Sequence, residues 1–177
     1  MVGAGIEANP PAGAGERAPV SGLTHVDDAG AARMVDISEK PVTAREAEAA
    51  GRVLVSPRVV ELLRGQGMPK GDALGVARVA GILGAKRTPD LVPLCHPIAI
   101  TGVSVDVTVT DEAVEITARV RTADRTGVEM EALTAVAVAG LALVDMVKSV
   151  DRDAVISDVR VTRKSGGRRG TWTRDEV

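Results

Sequence analysis

The stretch that decides the fold is Thr126-Gly-Val-Glu-Met-Glu-Ala-Leu-Thr-Ala-Val-Ala-Val-Ala-Gly-Leu-Ala-Leu-Val-Asp-Met-Val-Lys148. It begins with charged residues, is uncharged from Ala132 to Val144, and ends on Asp145 and Lys148. A helix that is apolar all round is expected to be buried all round, and the uncharged run is shorter than the ~20 residues of a membrane span. We therefore predict a core helix between its own sheet and a second surface, such as another subunit.

Alternating apolar residues predict a β-hairpin directly before this helix. The positions on one face are Val103, Val105, Val107 and Val109 in the first strand and Val114, Ile116, Ala118 and Val120 in the second. Two helices are predicted upstream, from Ser56-Pro57 to about Gly65 and from Lys70 to about Lys86. Residues 42–55 favour a strand, with a helix as the open alternative because Ala and Glu favour helix. A last strand is predicted at residues 156–162.

The order strand, helices, strand, strand, helix, strand predicts a ferredoxin-like α+β fold. We expect a four-stranded antiparallel sheet with the helices packed on one face. The 177 residues fit one domain with irregular ends. The predicted boundaries are a disordered Gly/Ala/Pro-rich leader at residues 1–22, a ferredoxin-like domain at 23–166 and a flexible tail at 167–177.

Composition narrows the classes of partner. The 22 basic and 24 acidic residues nearly balance, and the only aromatic side chain is Trp172. Neither a polyanion-attracting field nor aromatic platforms for bases are therefore expected, which argues against nucleic acid. The single cysteine, Cys95, fits a reducing compartment, and no signal-peptide pattern is present. We expect a cytoplasmic protein with a small-molecule partner and no membrane contact.

Three basic or titratable positions are candidates for chemistry. Lys70 precedes a helix N-terminus, which suits a phosphate-binding lysine, and a solvated loop lysine is an equal alternative. His96 lies between Pro93 and Pro97 and suits proton transfer near neutral pH, or it is simply a hydrogen-bonded loop residue. The segment Lys164-Ser-Gly-Gly-Arg-Arg-Gly170 suits an anion site, although alone it is more typical of a flexible basic tail.

The carboxylates lie at the two ends of the core helix. Thr126-Gly-Val-Glu129 matches a capping box, which would explain Glu129 structurally, whereas Glu131 has no such explanation. Asp145 and Lys148 share a helix face. We expect Asp145 to be partly buried with a raised pKa, as half of an acid/base or electrostatic pair. The alternative is an ordinary surface pair worth ~0.2–0.5 kcal/mol.

These residue types together indicate acid/base chemistry on a phosphorylated small molecule. No metal site is predicted, because Cys95 and two histidines do not form a convincing zinc ligand set. The lack of a convincing zinc ligand set also argues against a zinc-dependent purine-nucleotide hydrolase.

Several motifs in combination resemble those of one enzyme family, the cyclic pyranopterin monophosphate synthases (molybdenum cofactor biosynthesis protein C family). The matching motifs are Met34-Val-Asp-Ile-Ser-Glu-Lys40, Lys70-Gly-Asp72, Ala80-Gly-Ile82, Ala85-Lys-Arg-Thr88, Leu91-Val-Pro-Leu-Cys-His-Pro97, Thr126-Gly-Val-Glu-Met-Glu-Ala-Leu-Thr-Ala135, Asp145-Met146 and Lys164-Ser-Gly-Gly167. The resemblance implies a lyase that converts 3′,8-cyclo-7,8-dihydroguanosine 5′-triphosphate to cyclic pyranopterin monophosphate and diphosphate. It also implies a homohexamer, a trimer of dimers, with the active site between subunits.

The resemblance further implies roles for individual residues. The implied catalytic residues are Lys70, His96, Asp145 and Lys148. The implied substrate contacts are Lys40, Arg45, Leu94, Cys95, His96, Glu129, Met130, Glu131 and Lys164. The sequence itself calls for no cofactor, and we expect that Mg²⁺ can accompany the triphosphate. The competing hypothesis is a non-catalytic nucleotide-binding module of ferredoxin-like fold.

Overall fold

The computed structural model describes residues 31–168 and 170–175. All of the helices and strands described below belong to one compact unit that begins at Asp36. The leader predicted at residues 1–22 lies outside the described residues, so its disorder and the domain boundaries stay predictions.

The elements follow one another in the predicted order. They are β1 (Thr43–Leu54), α1 (Pro57–Glu61), a π-helical turn (Leu62–Gln66), α2 (Ala73–Lys86), α3 (Thr88–Leu91), β2 (Ile100–Val109), β3 (Ala113–Asp124), α4 (Glu129–Val147), β4 (Val155–Ser165) and β5 (Trp172–Thr173). The open alternative at residues 42–55 is settled in favour of a strand, because its alternate residues face a core.

The sheet has five antiparallel strands in the order β2-β3-β1-β4-β5, so the prediction of four strands is wrong. The additional strand, β5, pairs Trp172 with Lys164 and Thr173 with Arg163. The chain folds back onto β4 through three glycines with positive φ, Gly166, Gly167 and Gly170. A two-residue strand is too short to produce an alternating pattern, so sequence periodicity could not reveal it.

The helices pack on one face of the sheet, as predicted. Helix α2 packs on β2, and α4 packs on β1, β3 and β4. Gly51 shows how closely α4 approaches β1, because a Cβ at this position would lie 2.7 Å from the Val136 side chain. Two glycines of α2 permit a similar approach between helices: a Cβ at Gly81 would lie 2.9 Å from the Ala135 carbonyl, and one at Gly84 would lie 2.8 Å from Val138.

The opposite face of the sheet carries a network of ion pairs. Arg119 and Arg121 of β3 and Arg163 of β4 pair with Glu46 and Glu48 of β1. A groove of about 860 Å³ lies on this face, and the charged residues that line it are equal in number for each sign: Glu48, Arg52, Glu115, Asp158, Arg160, Arg163, Arg174 and Asp175.

The predicted core helix is α4. By length and mean hydropathy it could cross a membrane, yet it packs on the sheet as a core helix. Ala135, Val136, Ala139 and Leu143 are fully buried. Leu141 is 61% exposed, so the expectation of burial all round is not met within a single chain.

Candidate functional site

Lys70, Asp145 and Lys148 form the first of two clusters, which we call the C-terminal cluster because it lies at the end of α4. The Lys70 Nζ is 3.0 Å from Asp145 Oδ2, and the Lys148 Nζ is 2.6 Å from Oδ1 of the same carboxylate. Lys70 also donates to the Asp145 carbonyl at 2.7 Å. One carboxylate therefore holds two ammonium groups side by side at a surface accessible to solvent.

The Lys70-Gly-Asp motif explains how a residue so distant in sequence reaches α4. Gly71 adopts φ +95°, a conformation that side chains rarely tolerate, and this lets the chain turn immediately before α2. Asp72 then caps α2 by accepting a hydrogen bond from the Gly75 N–H at 2.8 Å. The lysine thus lies at the negative end of α4, where a cation is favoured.

The expectation for Asp145 is wrong in two respects. Its side chain is 58% exposed rather than partly buried. Hydrogen bonds from Lys148 and Lys70 lower the pKa of its carboxyl, whereas we expected the helix terminus to raise it. Two adjacent ammonium groups outweigh the partial charge of a helix end. Asp145 is consequently ionised at neutral pH.

The second cluster, the N-terminal cluster, comprises Cys95, Glu129, Met130, Glu131 and Lys164. Its ion pair joins Lys164 Nζ to Glu129 Oε1 at 2.6 Å, and roughly a third of each side chain is exposed. The predicted capping box is wrong, since Val128 is the N-cap of α4 and no side chain caps the helix. Glu129 pairs with Lys164 on β4 instead.

Glu131 is the buried carboxyl of the site. Only 1% of it is exposed, and neither carboxyl oxygen has a hydrogen-bond partner on another described residue. Burial raises the pKa of Glu131 to about 7; its own backbone N–H opposes the rise, and the charge of Glu129 adds to it. Glu131, rather than Asp145, therefore has the properties of a group that exchanges a proton near neutral pH.

The loop that carries Cys95 and His96 has no regular structure, as its prolines predict. Burial raises the pKa of the Cys95 thiol, and the charges of Glu131 and Glu129 raise it further. The thiol is therefore neutral at pH 7, and within the N-terminal cluster it lies near Glu129 and Glu131. Hydrogen bonds from Ser38 lower the pKa of Asp36, and the nearby His96 lowers it slightly further.

Arg45 is fixed near the same end of α4. Its Nε donates to the Asp124 carbonyl at 2.8 Å and its Nη2 to the Arg125 carbonyl at 3.0 Å. The Arg125 Nε in turn donates to the Lys40 carbonyl at 3.0 Å. Gly167 borders the Arg45 guanidinium so closely that a Cβ would collide with it. This network joins the segment at Lys40, the end of β3 and the loop after β4 that contains Gly167.

Two further implied contacts, Leu94 and Met130, are each 38% exposed, which leaves them available to a ligand. The described residues contain no group of three or more His, Cys, Asp or Glu side chains suited to a metal ion.

The structure does not bring all the predicted residues together. Glu131 and Asp145 lie near opposite ends of α4, roughly 21 Å apart along its axis at ~1.5 Å per residue. Each end carries lysine and carboxylate groups, so one chain presents two separate clusters. The Glu129–Lys164 pair was missed by sequence reasoning, because the partners are 35 residues apart and no local pattern connects them.

Comparisons with known proteins point to one family. The model of the MoaC family matches residues 34–167. A protein of Streptomyces coelicolor, named cyclic pyranopterin monophosphate synthase, is 70% identical over 93% of this chain and 96% of the relative. A Nocardioides relative of the same name is 68% identical over 86% of this chain and 95% of the relative. A Mycobacterium tuberculosis protein named cyclic pyranopterin monophosphate synthase 2 is 63% identical over 86% of this chain and 91% of the relative.

Proposed function

We propose that this chain, which belongs to the MoaC family, is a cyclic pyranopterin monophosphate synthase of molybdenum cofactor biosynthesis. In this lyase reaction, 3′,8-cyclo-7,8-dihydroguanosine 5′-triphosphate gives cyclic pyranopterin monophosphate and diphosphate. The observation that carries the proposal is the placement of the motif residues, which cluster as lysine–carboxylate groups at the two ends of α4.

The C-terminal cluster suits the charge that develops when diphosphate leaves. Closing the cyclic phosphate requires a substrate oxygen to bond to the α-phosphorus while the bond to the departing diphosphate breaks. Lys70 and Lys148 supply two ammonium groups for the negative oxygens of that step. Asp145 holds both ammonium groups in place, and its lowered pKa makes it a poor proton acceptor in this arrangement.

The N-terminal cluster suits recognition and proton exchange at the purine-derived ring. Glu131, with a pKa of about 7, can donate or accept a proton during the ring rearrangement. Lys164, Arg45 and Lys40 are cations for the triphosphate, and His96 is a second candidate for proton transfer. Any Mg²⁺ in the reaction would be carried by the triphosphate.

The two partial sites would be completed by a second copy of the chain. An antiparallel partner α4 would bring Glu131 of one chain toward the C-terminal cluster of the other. Exposed apolar residues support such a contact: Leu141 lies on α4, and Val76, Val79 and Leu83 have helical spacing on α2. We extend the proposal to a dimer as the minimal active unit within a cytoplasmic trimer of dimers.

The finer fold assignment is part of the same proposal. A sheet order of β2-β3-β1-β4, with helices after β1 and β3, is the arrangement expected of a ferredoxin-like unit, and β5 is an addition at its edge.

The test is to incubate the purified protein with the cyclic nucleotide, with and without Mg²⁺. The proposal requires release of diphosphate together with a fluorescent pterin after oxidation of the product. Binding of the nucleotide without either product would instead support the non-catalytic nucleotide-binding module.

A further inference from the structure

The C-terminal segment contains the only aromatic side chain of the chain, and the structure places it beside a proposed triphosphate contact. Trp172 of β5 is the cross-strand partner of Lys164 on β4. Direct partners in an antiparallel ladder lie on the same face, with Cβ atoms ~4.5–5.5 Å apart. The indole and the lysine stem are therefore neighbours on the face that carries α4.

The position of the indole is itself fixed. The guanidinium carbon of Arg174 lies 5.5 Å from the centroid of the Trp172 ring. The Arg174 Nε donates to the Val161 carbonyl at 2.9 Å, and its backbone N–H donates to the Thr162 carbonyl at 2.8 Å. The ring thus has a cation on one side that is anchored to β4, although 42% of Trp172 is exposed.

Lys164 is held at its tip as well. Its Nζ contacts Glu129 at 2.6 Å, and only 32% of its side chain is exposed. A lysine stem packs favourably along apolar surface while its ammonium group stays polar. The neighbouring indole offers such a surface, and restricting the stem lowers the entropy that is lost when the ammonium group binds a phosphate.

We infer that Trp172 is a positioning residue that orients Lys164 toward the diphosphate portion of the substrate. The inference rests on the proposed function, because the diphosphate group belongs to that reaction. It assigns a role to the folded-back segment, in which Trp172 acts through Lys164 and does not itself take part in bond making or breaking.

Inorganic diphosphate is the probe, since it has no ring on which an indole could stack. Calorimetric titration of Trp172→Ala should show about tenfold weaker binding than the unaltered protein, corresponding to ~1.4 kcal/mol. Trp172→Phe should recover most of the affinity, because a benzyl ring still flanks the stem. The matched control is Thr173→Ala, on the same strand but the opposite face, which should bind normally.

A double-mutant cycle separates positioning from other roles. Once Lys164→Ala is present, Trp172→Ala should cause little further loss, because the residue on which it acts is gone. In turnover assays Trp172→Ala should raise KM while leaving kcat within about twofold.

Additive losses in the cycle, unchanged diphosphate affinity in Trp172→Ala, or no diphosphate binding by the unaltered protein would overturn the inference. An equal loss in Thr173→Ala would also overturn it, since β5 pairing alone would then explain the effect. Absence of turnover by the unaltered protein would refute the proposed function, but the titration would still decide the role of Trp172.

Discussion

At the scale of single residues, the surroundings of each carboxyl group determine its protonation state. Asp145 is exposed between two ammonium groups and is ionised, whereas Glu131 is buried without a partner among the described residues and is half protonated near pH 7. Sequence position alone suggested the reverse assignment for Asp145. The reason is that the partner Lys70 lies 75 residues away, and no local pattern records that contact.

Substitution of Glu131 by Gln should change how stability depends on pH. The folded-state pKa of Glu131 is raised from 4.5 to about 7, so the folded protein holds the proton more tightly than the unfolded chain. Stability should therefore fall as pH rises from 4.5 to about 7, by at most about 3 kcal/mol from this group. Glu131→Gln should remove that fall. Urea unfolding at pH 5 and pH 8 measures the change in the free energy of unfolding. An equal change in both proteins would contradict the assignment of Glu131 as a buried carboxyl group with a raised pKa.

The lysines should differ in their kinetic effects. Lys70→Ala and Asp145→Ala should each lose most turnover while folding normally, because both are exposed and hold the C-terminal cluster together. Lys164→Ala should mainly weaken substrate binding, by the ~1.5–3 kcal/mol of a charge-assisted phosphate contact. Circular dichroism and single-turnover assays distinguish the two classes. Near-normal turnover by Asp145→Ala would remove it from the mechanism.

At the scale of elements, strong apolar periodicity was sufficient to predict a helix or a strand. Very short strands and contacts between residues distant in sequence could not be predicted in this way. The hairpin β2–β3 and the helix α4 were predicted because apolar spacing is a local property. The strand β5 was missed because two residues carry no period. Its position depends on glycine conformations and on pairing with β4, which only the folded chain reveals.

Asp151 connects two structural elements, and the sequence did not suggest this contact. Its Oδ2 accepts a hydrogen bond from the Ser56 N–H at 2.6 Å, which joins the loop after α4 to the start of α1. Its Oδ1 accepts a second bond from the Asp153 N–H at 3.0 Å. Since Asp151 is buried, removing its carboxylate leaves the Ser56 and Asp153 N–H groups without this hydrogen-bond acceptor.

Asp151→Ala should therefore lower the free energy of unfolding by about 1–3 kcal/mol. The exposed neighbour Asp153 provides the matched control, and Asp153→Ala should change stability by less than ~0.5 kcal/mol. Thermal unfolding of both variants measures the difference. Equal stability of the two variants would show that this loop does not anchor α1.

At the scale of the whole molecule, α4 is a core helix that carries a lysine–carboxylate cluster at each end, and in the proposed function these clusters are two partial sites. Glycines of β1 and α2 allow close packing of α4 on both elements. The sequence could indicate candidate site residues, because the motifs are local. It also places Glu131 and Asp145 fourteen residues apart on one predicted helix, roughly 21 Å at ~1.5 Å per residue, whereas the contacts that bring Lys70 to one end and Lys164 to the other appear only in the folded chain.

The measurement that tests the shared site most directly is complementation between two inactive variants. Glu131→Ala and Asp145→Ala proteins are mixed under conditions of proven subunit exchange, and turnover is compared with each variant alone. In a mixed dimer one site would combine both substitutions and the other would be intact, so random exchange should restore about a quarter of full activity. No recovery despite exchange, or a fully active monomer in light scattering, would contradict the account.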